Sequence, residues 1–306
     1  MRRSAWRTLV VAACSLWTAA GAGAAASGER LTVAVTEADI EAIVKVVGGD
    51  QVDTFSLFKG CILRKELAVE PGARDRLLKA DVVVWSGFFN ESAAIYESVK
   101  RLDQVPEGFK RPTWIDVSRG AHRVNVPTSS CDGYVEALFM YGDPFFWLNP
   151  RNGVVIARNL AEELAVLRPA KKAYFLANAE AFEKALTKDI ERWHRELEPI
   201  AALKVFSAQC GWQNFAQVGG VTFATCKGTP GQLPAPKALA EDVNQLGCRI
   251  VLVDPNTPPE YGRAFRELTK ARVVEAPSSI GDLTGAKSYQ DVFDNLVKKL
   301  LEASSS

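Results

Sequence analysis

Cysteine is the residue type in this sequence with the widest scope for metal chemistry. The 306-residue chain holds six cysteines, which are Cys14, Cys61, Cys131, Cys210, Cys226 and Cys248. Thiolates select soft ions such as Cu(I), and they also bind Zn(II) and Cd(II) tightly. In an oxidising compartment the same residues form disulfides. No Cys-x-x-Cys pair occurs to favour a metal, so disulfides, a thiolate site and free thiols all remain open.

Histidine is too scarce for an imidazole site. The whole chain has two histidines, His122 and His194, so the commonest route to zinc binding is excluded. The sequence has no nucleophile elbow, no phosphate-binding glycine loop and no histidine beside a nucleophile, which argues against an enzyme. The formal net charge of +1 gives no electrostatic basis for binding nucleic acid or an anionic membrane. These observations argue against an enzyme and against a protein that binds nucleic acid.

The first 26 residues have the pattern of an export signal. Arg2, Arg3 and Arg7 form a basic start, an apolar stretch follows over 9–20, and small residues before position 27 suit cleavage. Few apolar residues precede Cys14, so we expect a soluble exported protein rather than one lipidated at Cys14. Without the leader five cysteines remain, and an odd number leaves at least one thiol unpaired or intermolecular.

The mature sequence alternates short apolar runs with helical segments. Continuous runs such as 81–85 are typical of buried parallel strands. Midway along the chain, a long helical region has one apolar stripe at steps of three, four and seven residues, formed by Phe175, Phe182, Leu186, Ile190, Trp193 and Leu197. This order predicts an α/β protein with two (βα)4-type lobes on parallel sheets, joined by one long rigid helix.

The expected domain organisation follows from the same pattern. We predict a signal peptide over 1–26, an N-terminal α/β lobe over 29–168, a linker helix over 169–199 and a C-terminal α/β lobe over 200–303. No second run approaches the roughly 18 apolar residues that a membrane span needs.

Five segments carry a resemblance to a known family. In chain order they are VVGGDQVDTFSLF, LLKADVVVWSGFFNE, GDPFFWLNPRNGVVIARNLAEEL, SAQCGWQNFA and VLVDPNTPPEYG. Their order and spacing resemble the periplasmic solute-binding proteins of zinc and manganese ABC importers (cluster A-I), over nearly the whole mature chain. The resemblance implies a monomer with a ligand held between two lobes, and an ABC permease with a cytoplasmic ATPase as its partner. It also implies small rocking of the lobes rather than wide hinge closure.

The metal ligands of that family are not carried over. Members of the family hold the metal with three histidines and one acidic residue. The matching positions here are Lys65, Phe145 in the segment Asp143-Pro144-Phe145-Phe146-Trp147, Gln209, and a position on or near Pro277. None of these residues can replace the family's metal-ligating residues. The resemblance therefore predicts the scaffold but not the identity of the bound solute.

Cysteines surround the aligned site. Cys61 lies four residues before Lys65, Cys210 is beside Gln209, and Cys226 follows a predicted strand; Cys131 lies in a loop that approaches the cleft. We therefore interpret Cys61, Cys210, Cys226 and Cys131 as thiolate ligands of a transition metal ion, copper or zinc, with Lys65 neutralising excess negative charge. Disulfides such as Cys61–Cys131 or Cys210–Cys226 are the structural alternative.

A second interpretation uses cations and aromatic rings. Arg64 and Lys65, with Gln209, Trp212 and Phe145, would suit a metal chelate or a small anionic organic solute, because a guanidinium donates paired hydrogen bonds and a ring offers stacking area. Arg123 and Lys227 are further cleft candidates. A third interpretation is an accessory protein that kept the fold and lost metal binding.

Overall fold

The computed structural model describes residues 29–58, 72–87, 112–124, 142–208, 211–225 and 234–305. The strands in these ranges are β1 (Leu31–Val35), β2 (Val52–Ser56), β3 (Val82–Trp85), β4 (Thr113–Asp116), β5 (Lys204–Ser207), β6 (Thr222–Thr225), β7 (Ile250–Val253) and β8 (Arg272–Glu275). The helices are α1 (Ala38–Gly48), α2 (Ala73–Leu77), α3 (Pro150–Leu167), α4 (Lys172–Leu197), α5 (Ala216–Gly219), α6 (Pro236–Leu246), α7 (Pro259–Leu268) and α8 (Gln290–Ser304).

The strands form two four-stranded parallel sheets of the same topology. The first has the order β2-β1-β3-β4 and the second the order β6-β5-β7-β8. Every strand pair is parallel, as in the register Val33 with Val82 and Val205 with Ile250. The predicted fold class, two α/β lobes on parallel sheets, is confirmed.

One long helix connects the two sheets. The helix α4 contacts α1 and α3 beside the first sheet, and α5 and α8 beside the second. All six residues of the predicted apolar stripe are buried in α4, and Ala179 joins them. Trp193 packs against Phe293 of α8 with ring centroids 5.0 Å apart and donates to Asp294 Oδ1 at 2.7 Å. The buried stripe thus ties α4 to both sheets through one continuous core.

Candidate functional site

Each sheet has a topological switch point, which is the place where the strand order reverses and the chain connections on the two sides run in opposite directions. In the first sheet it lies between β1 and β3, and in the second between β5 and β7. Ligands of open α/β sheets bind outside the carboxyl ends of strands at such points. Buried polar residues follow these strand ends: Thr36 and Glu37 after β1, Ser86 after β3, Ser207 at the end of β5, and Asp254 after β7.

The carboxyl edge of the first sheet carries hydroxyl groups and a guanidinium. Ser118 donates from Oγ to Asp116 Oδ1 at 2.7 Å and accepts from Arg123 Nη2 at 2.7 Å. Gly87 has φ 77°, and a Cβ there would lie 2.7 Å from Ser118 Oγ, so this turn needs glycine. Thr36 is fully buried, and its hydroxyl has no hydrogen-bond partner among the described residues. Among the described residues, the edge therefore holds both an unsatisfied hydroxyl, after β1, and a cationic group, in the segment after β4.

At the carboxyl edge of the second sheet, the buried carboxylate of Asp254 is satisfied internally. Asp254 is 4% exposed and accepts from Ser278 N at 3.2 Å and Ser278 Oγ at 2.9 Å. It also accepts from both Asn256 N and Asn256 Nδ2 at 3.0 Å. These bonds join the turn after β7 to the segment after β8. Asp254, Ser278 and Trp212 also line a small cavity at this edge.

The two aromatic residues predicted to contact the ligand are buried where the lobes meet. Phe145 and Trp212 are each 2% exposed. Gly211, next to Trp212, has φ 121°, and a Cβ there would lie 2.8 Å from Leu148 Cδ1 and 3.2 Å from Phe145 Cβ. Glycine at 211 thus allows the segment after β5 to approach the segment before α3. A ligand role for Phe145 and Trp212 stays a prediction, and contact with a ligand would require the lobes to part here.

Asp143 links the lobes through a buried hydrogen-bond relay. Its carboxylate accepts from Phe145 N at 2.8 Å and from Gln213 Nε2 across the interface. Gln213 in turn accepts from Gly211 N at 3.2 Å. Burial raises the pKa of Asp143 from 3.8 to about 6, and the hydrogen bonds from Phe145, Asn214 and Gln213 limit the rise.

Asp39 makes a second interlobe contact. It lies in the first turn of α1 and accepts from Ser279 Oγ at 2.8 Å and from Ile280 N at 3.0 Å, both in the segment after β8. Burial raises the pKa of Asp39 from 3.8 to about 6, and the bonds from Ile280 and Ser279 oppose the rise. A third contact joins the Tyr289 hydroxyl, as donor, to the Trp147 carbonyl.

Most of the predicted site residues lie outside the described residues. These are Cys61, Arg64, Lys65, Cys131, Gln209, Cys210 and Cys226, and also Lys227. Cys248 is described: it is a free thiol, 7% exposed, and it precedes β7 at the amino end of the second sheet, away from the cleft. Beyond the predicted leader, four cysteines are therefore left for a thiolate site or for disulfides.

The sequence predictions missed several polar residues of the cleft. Each of four such residues comes one or two positions after a strand: Thr36, Glu37, Ser86 and Asp254. The carboxyl-end rule for parallel sheets would have selected them. Asp39 and Asp143 had no comparable signal, because their partners Ser279 and Gln213 are distant in sequence.

Within the part of the chain that the structure describes, no group of three or more histidine, cysteine or acidic residues could hold a metal ion. The same part contains no helix with the length and apolar character of a membrane span.

Comparison with known proteins identifies the scaffold. A family model described as ZnuA, "Zinc-uptake complex component A periplasmic", matches residues 33–303. The manganese ABC transporter substrate-binding lipoprotein PsaA of Streptococcus mitis is 26% identical over 259 residues, covering 80% of this chain and 78% of PsaA. The iron ABC transporter substrate-binding lipoprotein MtsA of Streptococcus pyogenes serotype M1 is 24% identical and covers 68% of this chain and 67% of MtsA.

Solved structures show the same fold. The crystal structure of ZnuA aligns with a TM-score of 0.72 at 18% identity, covering 90% of this chain and 99% of ZnuA. The periplasmic zinc-binding protein TroA of Treponema pallidum aligns with a TM-score of 0.70 at 19% identity, with coverage of 90% and 99%. The chain belongs to the ZnuA family and has the architecture of a substrate-binding protein of metal ABC importers.

Proposed function

We propose that this protein captures a soft metal ion, copper or zinc, between its two lobes and delivers it to an ABC permease driven by a cytoplasmic ATPase. The metal is cargo rather than a resident cofactor. Cys61, Cys210, Cys226 and Cys131 supply thiolates in place of the family's histidines and acidic residue, and Lys65 offsets part of the thiolate charge.

The position of the cysteines in the chain carries the proposal. Cys226 directly follows Thr225, the last residue of β6. Cys210 is the third residue after Ser207, which ends β5, and Cys61 is the fifth after Ser56, which ends β2. Parallel strands bring their carboxyl ends to one edge of each sheet, so the chain enters all three segments from cleft-facing edges. Cys248 is separate, since it precedes a strand.

Metal content and thiol accessibility together test the proposal. The mature chain is purified under anaerobic, non-reducing conditions and analysed for bound metal and free thiols. About one copper or zinc ion per chain, with at least three thiols that react only after chelation, supports a thiolate site. Cys248→Ser is the matched control and should keep the metal. No metal, with the other four cysteines in disulfides, contradicts the proposal.

Arg123 supports a second candidate, the capture of a metal chelate or small anionic solute. Its guanidinium binds Ser118 at the carboxyl edge of the first sheet, on the same edge as the buried Thr36 hydroxyl, which is unpartnered within the described ranges. Together with Arg64, Lys65, Gln209, Trp212 and Phe145, it would bind anionic groups. Calorimetric titration with citrate, alone and as its zinc complex, distinguishes the candidates, because an anion site binds citrate when all thiols are blocked.

The remaining assignments complete the proposal. The protein is exported by its leader, acts outside the cytoplasm as a monomer, and catalyses no reaction. The domain boundaries proposed are 29–168, 169–199 and 200–303. Light scattering after gel filtration tests the monomer, and a dimer of twice the mature mass contradicts it.

A further inference from the structure

We propose that Asp39 is a proton-dependent latch between the lobes, so that parting of the lobes at this contact is coupled to release of a proton. The inference does not depend on which ligand the cleft takes. It concerns how the closed arrangement responds to pH.

The geometry makes Asp39 an interlobe group. Its carboxylate belongs to α1, beside the first sheet, yet both of its partners from outside α1, Ser279 and Ile280, follow β8 of the second sheet. All three groups lie beyond the carboxyl ends of their strands, at the cleft. Asp39 is 0% exposed and Ser279 is 4% exposed, so the contact excludes water while it is closed. Parting of the lobes here would break both hydrogen bonds and expose the carboxyl.

Among the described residues, no positive charge compensates the buried carboxylate. Asp39 makes no ion pair with them. The acidic Asp282, in the turn after Ser279, raises the pKa of Asp39, and Asp39 in turn raises the pKa of the buried Tyr289 phenol, just before α8. Glu37, two residues earlier in the chain, is a further buried carboxyl group. The helices α3 and α4, which also pack on α1, contribute no charged group to the pKa of Asp39. The closed contact therefore favours the neutral acid over the anion.

The neutral acid also fits the hydrogen bonding. Ser279 Oγ accepts from Gly281 N at 3.2 Å and has a second lone pair. A protonated Asp39 can donate to that lone pair, while its other oxygen still accepts from Ile280 N. Protonation thus keeps the contact and removes the buried charge.

Linkage gives the direction of the effect. Asp39 has a pKa of about 6 when buried and returns toward the ordinary aspartate value of about 3.9 when the lobes part. Between about pH 3.9 and pH 6, opening therefore releases a proton. Acidification through this pH range shifts the equilibrium between the open and closed forms toward the closed form, by up to about tenfold per pH unit. Between pH 5 and pH 8 the open fraction should rise about tenfold.

Amide hydrogen exchange at Ile280 tests the latch, because this N–H donates to Asp39. Exchange of the wild-type full chain is followed by NMR from pH 5 to pH 8 and corrected for the intrinsic pH dependence of exchange. We expect the corrected rate at Ile280 to rise about tenfold, and to stay flat in Asp39→Asn, which cannot ionise. Asp53→Asn, which removes an exposed carboxyl on β2, should behave as wild type. Asp143→Asn removes the other interlobe carboxyl, and the pH dependence of exchange at Ile280 should remain as in wild type.

A flat wild-type profile, or an equal slope in Asp39→Asn, would overturn the proposal. If Asp39→Asn does not fold, the 13C carboxyl resonance of Asp39 in the wild-type protein decides instead. Titration near pH 6, with a simultaneous change at Ile280 N–H, supports the latch. Titration near the ordinary aspartate value contradicts it.

Discussion

The two lobes share one strand order but differ in how their cleft edges treat polar groups. In the second lobe, Asp254 receives four hydrogen bonds from Ser278 and Asn256 and joins two turns. In the first lobe, the described network of Asp116, Ser118 and Arg123 is smaller, and the buried Thr36 hydroxyl finds no partner in the described part of the chain.

This difference indicates that the two edges have different roles. An edge whose buried donors are satisfied gains little from a ligand, whereas an unpartnered buried hydroxyl costs free energy that a ligand can recover. We infer that the second lobe supplies a rigid wall and that the first lobe has more to gain from contact with the ligand.

Substitution of the two edge carboxylates should show the largest difference between the two lobes. Asp254→Ala leaves buried donors of Ser278 without an acceptor, and we expect a loss of about 3 kcal/mol in the free energy of unfolding. The matched Asp116→Ala removes a half-buried group with fewer partners and should cost about 1 kcal/mol. Urea denaturation measures both, and equal losses would contradict the contrast between the edges.

The pH dependence of the free energy of unfolding tests the raised pKa values of the two carboxyls that join the edges. Burial gives Asp39 and Asp143 folded-state pKa values of about 6, above the ordinary 3.8. Both carboxyls therefore stabilise the folded state below about pH 4 and lose that contribution as the pH rises through about 6. From pH 5 to pH 7 we expect a loss of about 1 kcal/mol for each carboxyl. Urea denaturation at several pH values measures it.

The variants Asp39→Asn and Asp143→Asn should each remove about half of this pH dependence. The exposed-site variant Asp53→Asn should leave it unchanged. A wild-type stability that rises from pH 5 to pH 7 would contradict the raised pKa values of both buried carboxyls.

The smallest expected effect concerns single hydroxyl groups. Thr36→Val keeps the shape of the side chain and removes a hydroxyl that has no partner among the described residues, so the ligand-free protein should be as stable as wild type or more stable by up to about 1 kcal/mol. Ser278→Ala removes a donor to Asp254 and should cost about 1 kcal/mol. If Thr36 faces the ligand, zinc or citrate should bind less tightly to Thr36→Val but not to Ser278→Ala. Calorimetric titration and urea denaturation measure the two effects, and a marked destabilisation by Thr36→Val would contradict the assignment.

Local patterns in the sequence were sufficient to predict the scaffold. The stripe from Phe175 to Leu197 identified α4 and its buried face, because a helix periodicity needs only neighbouring residues. Local patterns were less informative over 211–218, where a continuous helix would be expected from the sequence: the structure has a 3-10 turn at Trp212–Asn214 followed by α5. Gly211 adopts a positive φ there, and Gln213 bonds to Asp143 rather than lying on a regular helix.

The interlobe contacts could not be predicted from the sequence. Asp39 resembles any acidic residue in the first turn of a helix, where the helix dipole favours it. Its burial and its bond to Ser279 depend on how two separately wound sheets meet. The cysteines remain a prediction from chain order, since Cys61, Cys131, Cys210 and Cys226 lie outside the described residues.

X-ray absorption at the zinc edge shows directly whether this family scaffold holds its cargo through sulfur. The mature protein is loaded with one equivalent of zinc under anaerobic conditions. A thiolate site should give three or four sulfur neighbours at about 2.3 Å. A shell of nitrogen and oxygen at about 2.0–2.1 Å without sulfur, or the failure of reduced protein to retain zinc, would contradict it.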